Sequence, residues 1–177
     1  LFLLSDCLEH PFIHAGAMMT SLLEDSKKII TSFSLLAQDL NLNGYNNIDF
    51  KLIENEIYII DINPRITSTF KIYNDIYHND LLKNHINQDI SPLNKMIMIN
   101  NNVYGYIHLF AREDFIYKKY IHDDALINLP KDSEYIKKDD PIFSVYLNAS
   151  SEYDLICKFE EKILNLRKKY YFYDIVI

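Results

Sequence analysis

The stretch from Asn46 to Phe70, NNIDFKLIENEIYIIDINPRITSTF, decides how the chain is read. Two runs rich in β-branched and aromatic residues, IDFKLI and EIYIIDIN, flank the polar Glu54-Asn55-Glu56, a pattern that predicts a β-hairpin. Such a hairpin could be apolar throughout, yet this one carries Asp49 on its first strand and Asp61 and Asn63 on its second. With the turn centred on Asn55, Asp49 falls opposite Asp61, and the two-residue side-chain period puts Asn63 on the face of Asp61. Directly opposed like charges destabilise a strand pair. At about 4 Å they repel by roughly 4 kcal/mol at an effective dielectric of about 20, a large part of a typical fold stability of ~5–15 kcal/mol. Two carboxylates and an amide oxygen suit Mg²⁺, which keeps several waters and takes further ligands from substrate phosphates. Spacing alone leaves a second possibility open: a register shifted by one, with both acids on the solvated face of a half-exposed sheet.

Working outward, TSLLEDSKKIITSFSLLAQDLN upstream has capping-box spacing at Ser21 and Glu24 and apolar residues at Leu22, Ile29, Phe33, Leu36 and Leu40. A helix over 22–40 is expected, broken by NLNGYNN with Gly44 as a turn residue. Downstream, STFKIYNDIYHNDLLKNHI sets Tyr73, Ile76, Tyr77 and Leu81 on one helical face. KMIMI and VYGYIHLFA read as a second hairpin around Asn100-Asn101-Asn102, and PIFSVYLNA as a further strand. A last helix opens at Ser151 with Asp154, carries the stripe Leu155, Phe159, Ile163 and Leu166, and ends in Arg167-Lys168-Lys169. Hairpins separated by helices, without strict strand–helix–strand alternation, define an α+β fold with antiparallel hairpins packed on helices.

The bulk composition narrows the function. At 177 residues and 49% hydrophobic, the chain has the apolar content for one ordinary core, and a single domain over 1–177 is expected. A net charge of −7 and a pI near 5.3 disfavour a nucleic-acid surface. Cys7 and Cys157 lie far apart with no CxxC pair, as expected of reduced thiols in a cytoplasmic protein. The opening LFLLSDCLEH is apolar for only four residues before an acid, too short for a signal core or a membrane span. Three glycines, Gly16, Gly44 and Gly105, are too few and too scattered for a glycine-rich phosphate cradle.

Gly44, Asp49, Phe50, Asp61, Asn63, Pro64 and Arg65, in that order, resemble the magnesium-binding hairpin of the ATP-grasp superfamily, in which an apolar-Asp-Phe strand is followed by a strand ending in acid-x-Asn-Pro-Arg. The resemblance implies that Asp49, Asp61 and Asn63 hold magnesium bridging the phosphates of ATP. It also implies that Asp61, Asn63 and Arg65 contact the nucleotide, with Arg65 reaching phosphate or an acyl-phosphate. The acid at position 61 is more often Glu in that family. HAGAMMT resembles the loop before the equivalent helix. ALINLPKDSEYIKKDDPIFSVYLNASSEYDL is similar to the tail of a subgroup of archaeal and methylotroph carboxylate-amine ligases that includes tyramine–glutamate ligases. Asn128 stands for its usual Asp, and Ser133 and Asp139 or Asp140 stand near its glycines.

On this resemblance the chain is the carboxyl-terminal metal- and phosphate-binding portion of a ligase that activates a carboxylate as an acyl-phosphate and joins it to an amine. The upstream lysines and glycine-rich lid would belong to a missing amino-terminal half. The implied partners are ATP, a small carboxylate and a small amine, with no nucleic acid and no membrane. The alternative is a non-catalytic domain that keeps the hairpin as scaffold and binds a protein or small ligand. Thr67, Ser68 and Thr69 could bind a substrate carboxylate or cap the following helix. His10 and His14 have an i, i+4 spacing, but Pro11 and Gly16 argue against a helix there, and ordinary histidines are the simpler reading.

Overall fold

Glu54 and Asn55 both adopt positive φ, at 50° and 64°, the left-handed pair that a two-residue type I′ hairpin turn requires. That local constraint organises the central hairpin of the computed structural model, which describes residues 3–4, 14–19, 26–76, 81–87, 102–119, 122–172 and 175–176. In chain order the elements are β1 (Leu3–Leu4), β2 (Gly16–Met18), α1 (Ser26–Asp39), β3 (Asn47–Ile53), β4 (Glu56–Asn63), α2 (Phe70–Ile76) and α3 (Leu81–Asn87). They continue as β5 (Val103–Phe110), β6 (Phe115–Ile116), β7 (Leu126–Ile127), β8 (Tyr135–Ile136), β9 (Pro141–Ala149), α4 (Glu152–Arg167) and β10 (Ile175–Val176). All strand pairs are antiparallel, so the fold is α+β as the sequence indicates. The chain divides into two compact units, one formed by Leu1–Thr20 with Asn102–Ile177, the other by Ser21–Asn101.

In the first unit a four-stranded sheet runs in the order β2-β5-β9-β7, with β1–β10 and β6–β8 as separate pairs. The stripe expected on the last helix is buried in full: Leu155, Phe159, Ile163 and Leu166 join Ile107, Leu109, Val145 and Phe143 of the sheet in one apolar core. Ser151 caps α4, its side-chain oxygen accepting from the Asp154 amide at 3.1 Å. Tyr117 and Tyr170 stack with ring centroids 5.7 Å apart, and Phe143 meets Tyr170 edge-on. Gly105 is required by close approach: a Cβ there would lie 2.9 Å from Met18 Cβ and 3.2 Å from Phe159. β5 is paired with β2 and β9. Its expected partner KMIMI, at 95–99, lies outside the described residues.

The second unit holds α1, the β3–β4 hairpin, α2 and α3. Phe33 of α1 meets Phe50 of β3 edge-on at 4.9 Å, and Lys28 Nζ donates to the Asn55 carbonyl at the turn, so α1 braces both the sheet face and its tip. The expected cap at Ser21 and Glu24 and the residue Tyr77 lie outside the described residues. The segment read as one short helix forms two, and its buried positions are Ile72, Ile76 and Leu81, whereas Tyr73 is 42% exposed. Isoleucine at i and i+4 turns the helix by one position relative to the stripe drawn through Tyr73.

Ser133 and Asp139 in the connections before β9 also have positive φ, 66° and 70°. The backbone there takes the conformation that glycine adopts most readily, without the glycine. A left-handed residue other than Gly costs roughly 1–2 kcal/mol, against about 0.5–1 kcal/mol for the extra freedom Gly loses on folding. Ser133→Gly is therefore expected to raise stability by up to about 1 kcal/mol, read from the urea unfolding midpoint; a lower midpoint would show that the serine hydroxyl outweighs the strain.

Candidate functional site

The hairpin register pairs Asp49 with Asp61 and Asn47 with Asn63. The sequence reading reached the same acid pair through a three-residue connection, but two corrections cancel. The turn has two residues, which alone would put Asp49 opposite Ile60, and a bulge between Asp49 and Phe50 on the pairing restores the expected partner. The extra residue is Ile60, 62% exposed. Bulges occur where a strand must re-aim a side chain, and here the bulge turns Asp61 onto the face of Asp49.

Alternation then separates two faces. Ile48, Phe50 and Leu52 lie on the α1 side, where Phe50 meets Phe33, and Asn47, Asp49 and Lys51 lie on the other. Asn63 Nδ2 donates to Asp61 Oδ2 at 2.9 Å and reaches Asp49 Oδ2 at 3.5 Å, while Asn47 Nδ2 donates to Asp49 Oδ1 at 2.7 Å. The Ile62 amide donates to Asp61 Oδ1 at 2.9 Å. Both acids are exposed and neither is ion-paired among the described residues. In water a 4 Å pair repels by only about 1 kcal/mol, so exposure softens the repulsion and the two amides offset what remains.

The donor set fits a hard divalent cation. Turning the Asn63 amide by half a revolution exchanges its NH₂ for its oxygen, which then stands beside Asp61 Oδ2 and Asp49 Oδ2. Among the described residues no group of three His, Cys, Asp or Glu side chains could hold a metal unaided. A cation here would complete its shell with waters or phosphate oxygens, the habit of Mg²⁺.

Arg65 follows Pro64 at the end of β4, is exposed, and donates from Nη1 to the Ile66 carbonyl at 3.2 Å. Thr67 and Thr69 join through their hydroxyls at 3.0 Å, and Thr69 also bonds the Tyr45 hydroxyl at 3.2 Å. Sequence reasoning missed the support below this site. Gly44 (φ +70°) sits where a Cβ would come within 2.6 Å of His85 Nδ1, and that nitrogen accepts from the Tyr45 amide at 3.0 Å. His85 thus fixes the entry into β3. The only hint in the sequence was Gly44 itself, since the partner lies on a helix 40 residues on.

Residues 4–69, which include Asn47, Asp49, Asp61, Asn63, Arg65, Thr67 and Thr69 but not His85, match the family model of an ATP-grasp domain. The fold is ATP-grasp-like: an L-amino acid ligase from Bacillus licheniformis superposes with a TM-score of 0.63 at 13% identity, covering 92% of this chain and 46% of the ligase. The biotin carboxylase–beta-gamma-ATP complex from Campylobacter jejuni gives 0.55 at 14% identity over 81% of this chain and 36% of its own. The biotin carboxylase domain of a single-chain bacterial carboxylase gives 0.60 at 11% identity, covering 93% and 42%. In sequence, an uncharacterized protein of Methanocaldococcus jannaschii is 31% identical over 126 residues. The chain spans 30% of that relative's length and less than half of each of these solved structures.

A second polar cluster belongs to the other unit. His108 Nδ1 lies 2.7 Å from Ser144 Oγ on the directly paired residue of β9, and Asn128 Nδ2 donates to the same oxygen at 3.3 Å. His14 Nε2 lies 2.9 Å from the Tyr106 hydroxyl, and its ring centroid is 5.9 Å from that of His108. Burial first, and then the charge of His14, hold the His108 pKa below its ordinary value of 6.5. As pH falls the unfolded chain therefore takes up this proton before the folded one, so the contribution to stability is present above about 6.5 and is lost below it. The drop in melting temperature between about pH 7.5 and about pH 5.5 is expected to be smaller in His108→Gln than in the parent chain. Equal drops would mean that His108 titrates alike in both states.

Proposed function

We propose that the chain is the carboxyl-terminal metal- and phosphate-binding portion of an ATP-dependent carboxylate-amine ligase. The reading is carried by one observation: Asp49 and Asp61 oppose each other on an open face, spanned by the Asn63 amide, within the segment that matches an ATP-grasp domain. In this reading Asp49, Asp61 and Asn63 hold Mg²⁺, and the ion when bound supplies positive charge against the phosphate oxygens of ATP. Asp61, Asn63 and Arg65 face the nucleotide. Arg65 is the catalytic residue, its guanidinium forking onto the transferred phosphoryl group, where its charge lowers the barrier most as negative charge gathers. A substrate carboxylate oxygen bonds to the γ-phosphorus as ADP leaves, and an amine then displaces phosphate from the acyl-phosphate.

Support for a ligase comes from the fold shared with an L-amino acid ligase, and support for ATP from the domain match. The lysines and lid of such a site are assigned to an amino-terminal half, in keeping with the 46% share of the ligase that this chain spans. We also assign the two units to a single domain, because the matched segment runs from one into the other. One cooperative calorimetric transition is expected for the chain, and two separated transitions would divide it. We likewise assign the ligase to the cytoplasm, with no nucleic-acid or membrane partner; its net charge of −7 disfavours a nucleic-acid surface, and no described helix is long and apolar enough to cross a membrane.

The test is Asp61→Asn. Without metal its melting should stay within about 0.5 kcal/mol of the parent, since the residue is exposed and the relief of repulsion is offset by a weaker acceptor for Asn63. In the protein with both halves, Mg-ATP-dependent release of ADP, requiring both a carboxylate and an amine, should fall by about 100-fold or more. Near-normal turnover would remove the hairpin from catalysis. A parent protein that binds Mg-ADP but turns nothing over would favour the scaffold reading, for which Asp61 in place of the usual Glu speaks.

A further inference from the structure

Asn47 was not among the residues singled out in the sequence, yet it makes the shortest contact to either acid, 2.7 Å from its Nδ2 to Asp49 Oδ1. The two asparagines of the hairpin pair differ in how they are held. Asn63 donates to both carboxylates through one nitrogen. Asn47 is held at both ends of its amide: Nδ2 donates to Asp49, and Oδ1 accepts from Thr69 Oγ1 at 3.5 Å. A hydroxyl has one proton to give and two lone pairs to receive. Because Thr69 gives its proton to Asn47, its contacts with Tyr45 at 3.2 Å and Thr67 at 3.0 Å run the other way, with both neighbours donating to it. The inventory closes with one direction of donation, from Tyr45 and Thr67 through Thr69 and Asn47 to Asp49 Oδ1. Reversing the Asn47 amide would set its oxygen against a carboxylate and leave the Thr69 proton facing an NH₂.

We propose that Asn47, locked by Thr69, is a positioning residue that occupies Oδ1 of Asp49 and thereby presents Oδ2 alone to the divalent cation, on the reading of the hairpin as the magnesium site given above. Asn63, anchored through its nitrogen alone and able to turn once a cation stands between it and the carboxylates, is the ligand of the pair, and Asn47, anchored at both ends of its amide, is its support. The assignment has a local origin. Thr69 immediately precedes α2, and the edge-on contact of Tyr45 with Phe70, at 5.0 Å, keeps the tyrosine hydroxyl beside it. The orientation of a ligand on β3 is thus set by the start of a helix beyond β4.

The probe is Mn²⁺ alone, added to the 177-residue chain, with binding read from paramagnetic broadening of the Asp49 and Asp61 backbone amide signals. Asn47→Ala and Thr69→Val are expected to weaken Mn²⁺ binding by about 10-fold, the usual loss when the partner orienting a metal ligand is removed. Thr69→Ser, which keeps the hydroxyl, should bind as the parent chain does. Metal-free melting should be unchanged in all three. If Thr69→Val loses thermal stability, Asn47→Ala carries the test alone, since it leaves the contacts of Thr69 with Tyr45 and Thr67 in place. Broadening in the parent with undiminished affinity in Asn47→Ala and Thr69→Val overturns the relay and leaves the magnesium site standing. No broadening of Asp49 or Asp61 in the parent overturns the magnesium site, and the relay with it.

Discussion

Two like charges face each other across a pair of strands, and the local geometry of the second unit is arranged to keep them there. A turn of two left-handed residues fixes the register at one end, a bulge at Ile60 resets it midway, and the glycine and histidine at the entry to β3 fix it at the other. None of these devices stabilises the hairpin through burial. Among the described residues the apolar side chains buried in this unit are Ile29, Ile72, Ile76 and Leu81, all on helices. The hairpin itself is half exposed, and its order rests on hydrogen bonds and backbone conformation.

The other unit is built on the opposite plan. Its sheet and α4 enclose a continuous apolar core in which Leu109, Val145, Leu155 and Phe159 are completely shielded from solvent. Polar groups enter that unit in matched sets: Ser144, at 2% exposure, is shared between His108 and Asn128, so a buried hydroxyl meets two partners. Stability is concentrated where no ligand is assigned, and the face bearing the acids is left open. Such a division is common in proteins whose binding loops come from the less stable part of the structure.

How far the sequence could carry the reading depended on the range of the forces involved. Helix stripes and strand alternation are local, so α4, with its Ser151 cap and four buried positions, and both hairpin strands were legible. Turn chemistry is local too, but Glu54-Asn55 lacks the glycine that usually marks a type I′ turn, and a two-residue turn was read as three. The acid pair survived because a bulge, which no periodicity announces, corrected the count. Asn47 and His85 stayed hidden for another reason: each acts through a partner brought close only by folding, Thr69 for one and the Tyr45 amide for the other. Helical spacing set Tyr73 on one face with Ile76 and Leu81, yet the buried face is the one through Ile72 and Ile76, and Tyr73 lies exposed.

The first unit is assembled from both ends of the sequence, with the whole of the second unit lying between β2 and β5. During synthesis β2 leaves the ribosome early and must wait, unpaired, until every residue of the second unit has followed it. The entropy of closing that loop grows only as the logarithm of its length, so lengthening the insert by several residues would cost the folded state little. The burden falls on time instead, since a sheet closed by such distant neighbours forms late. The hairpin with the acids, made of adjacent residues, has no such delay and can be in register before its host unit exists.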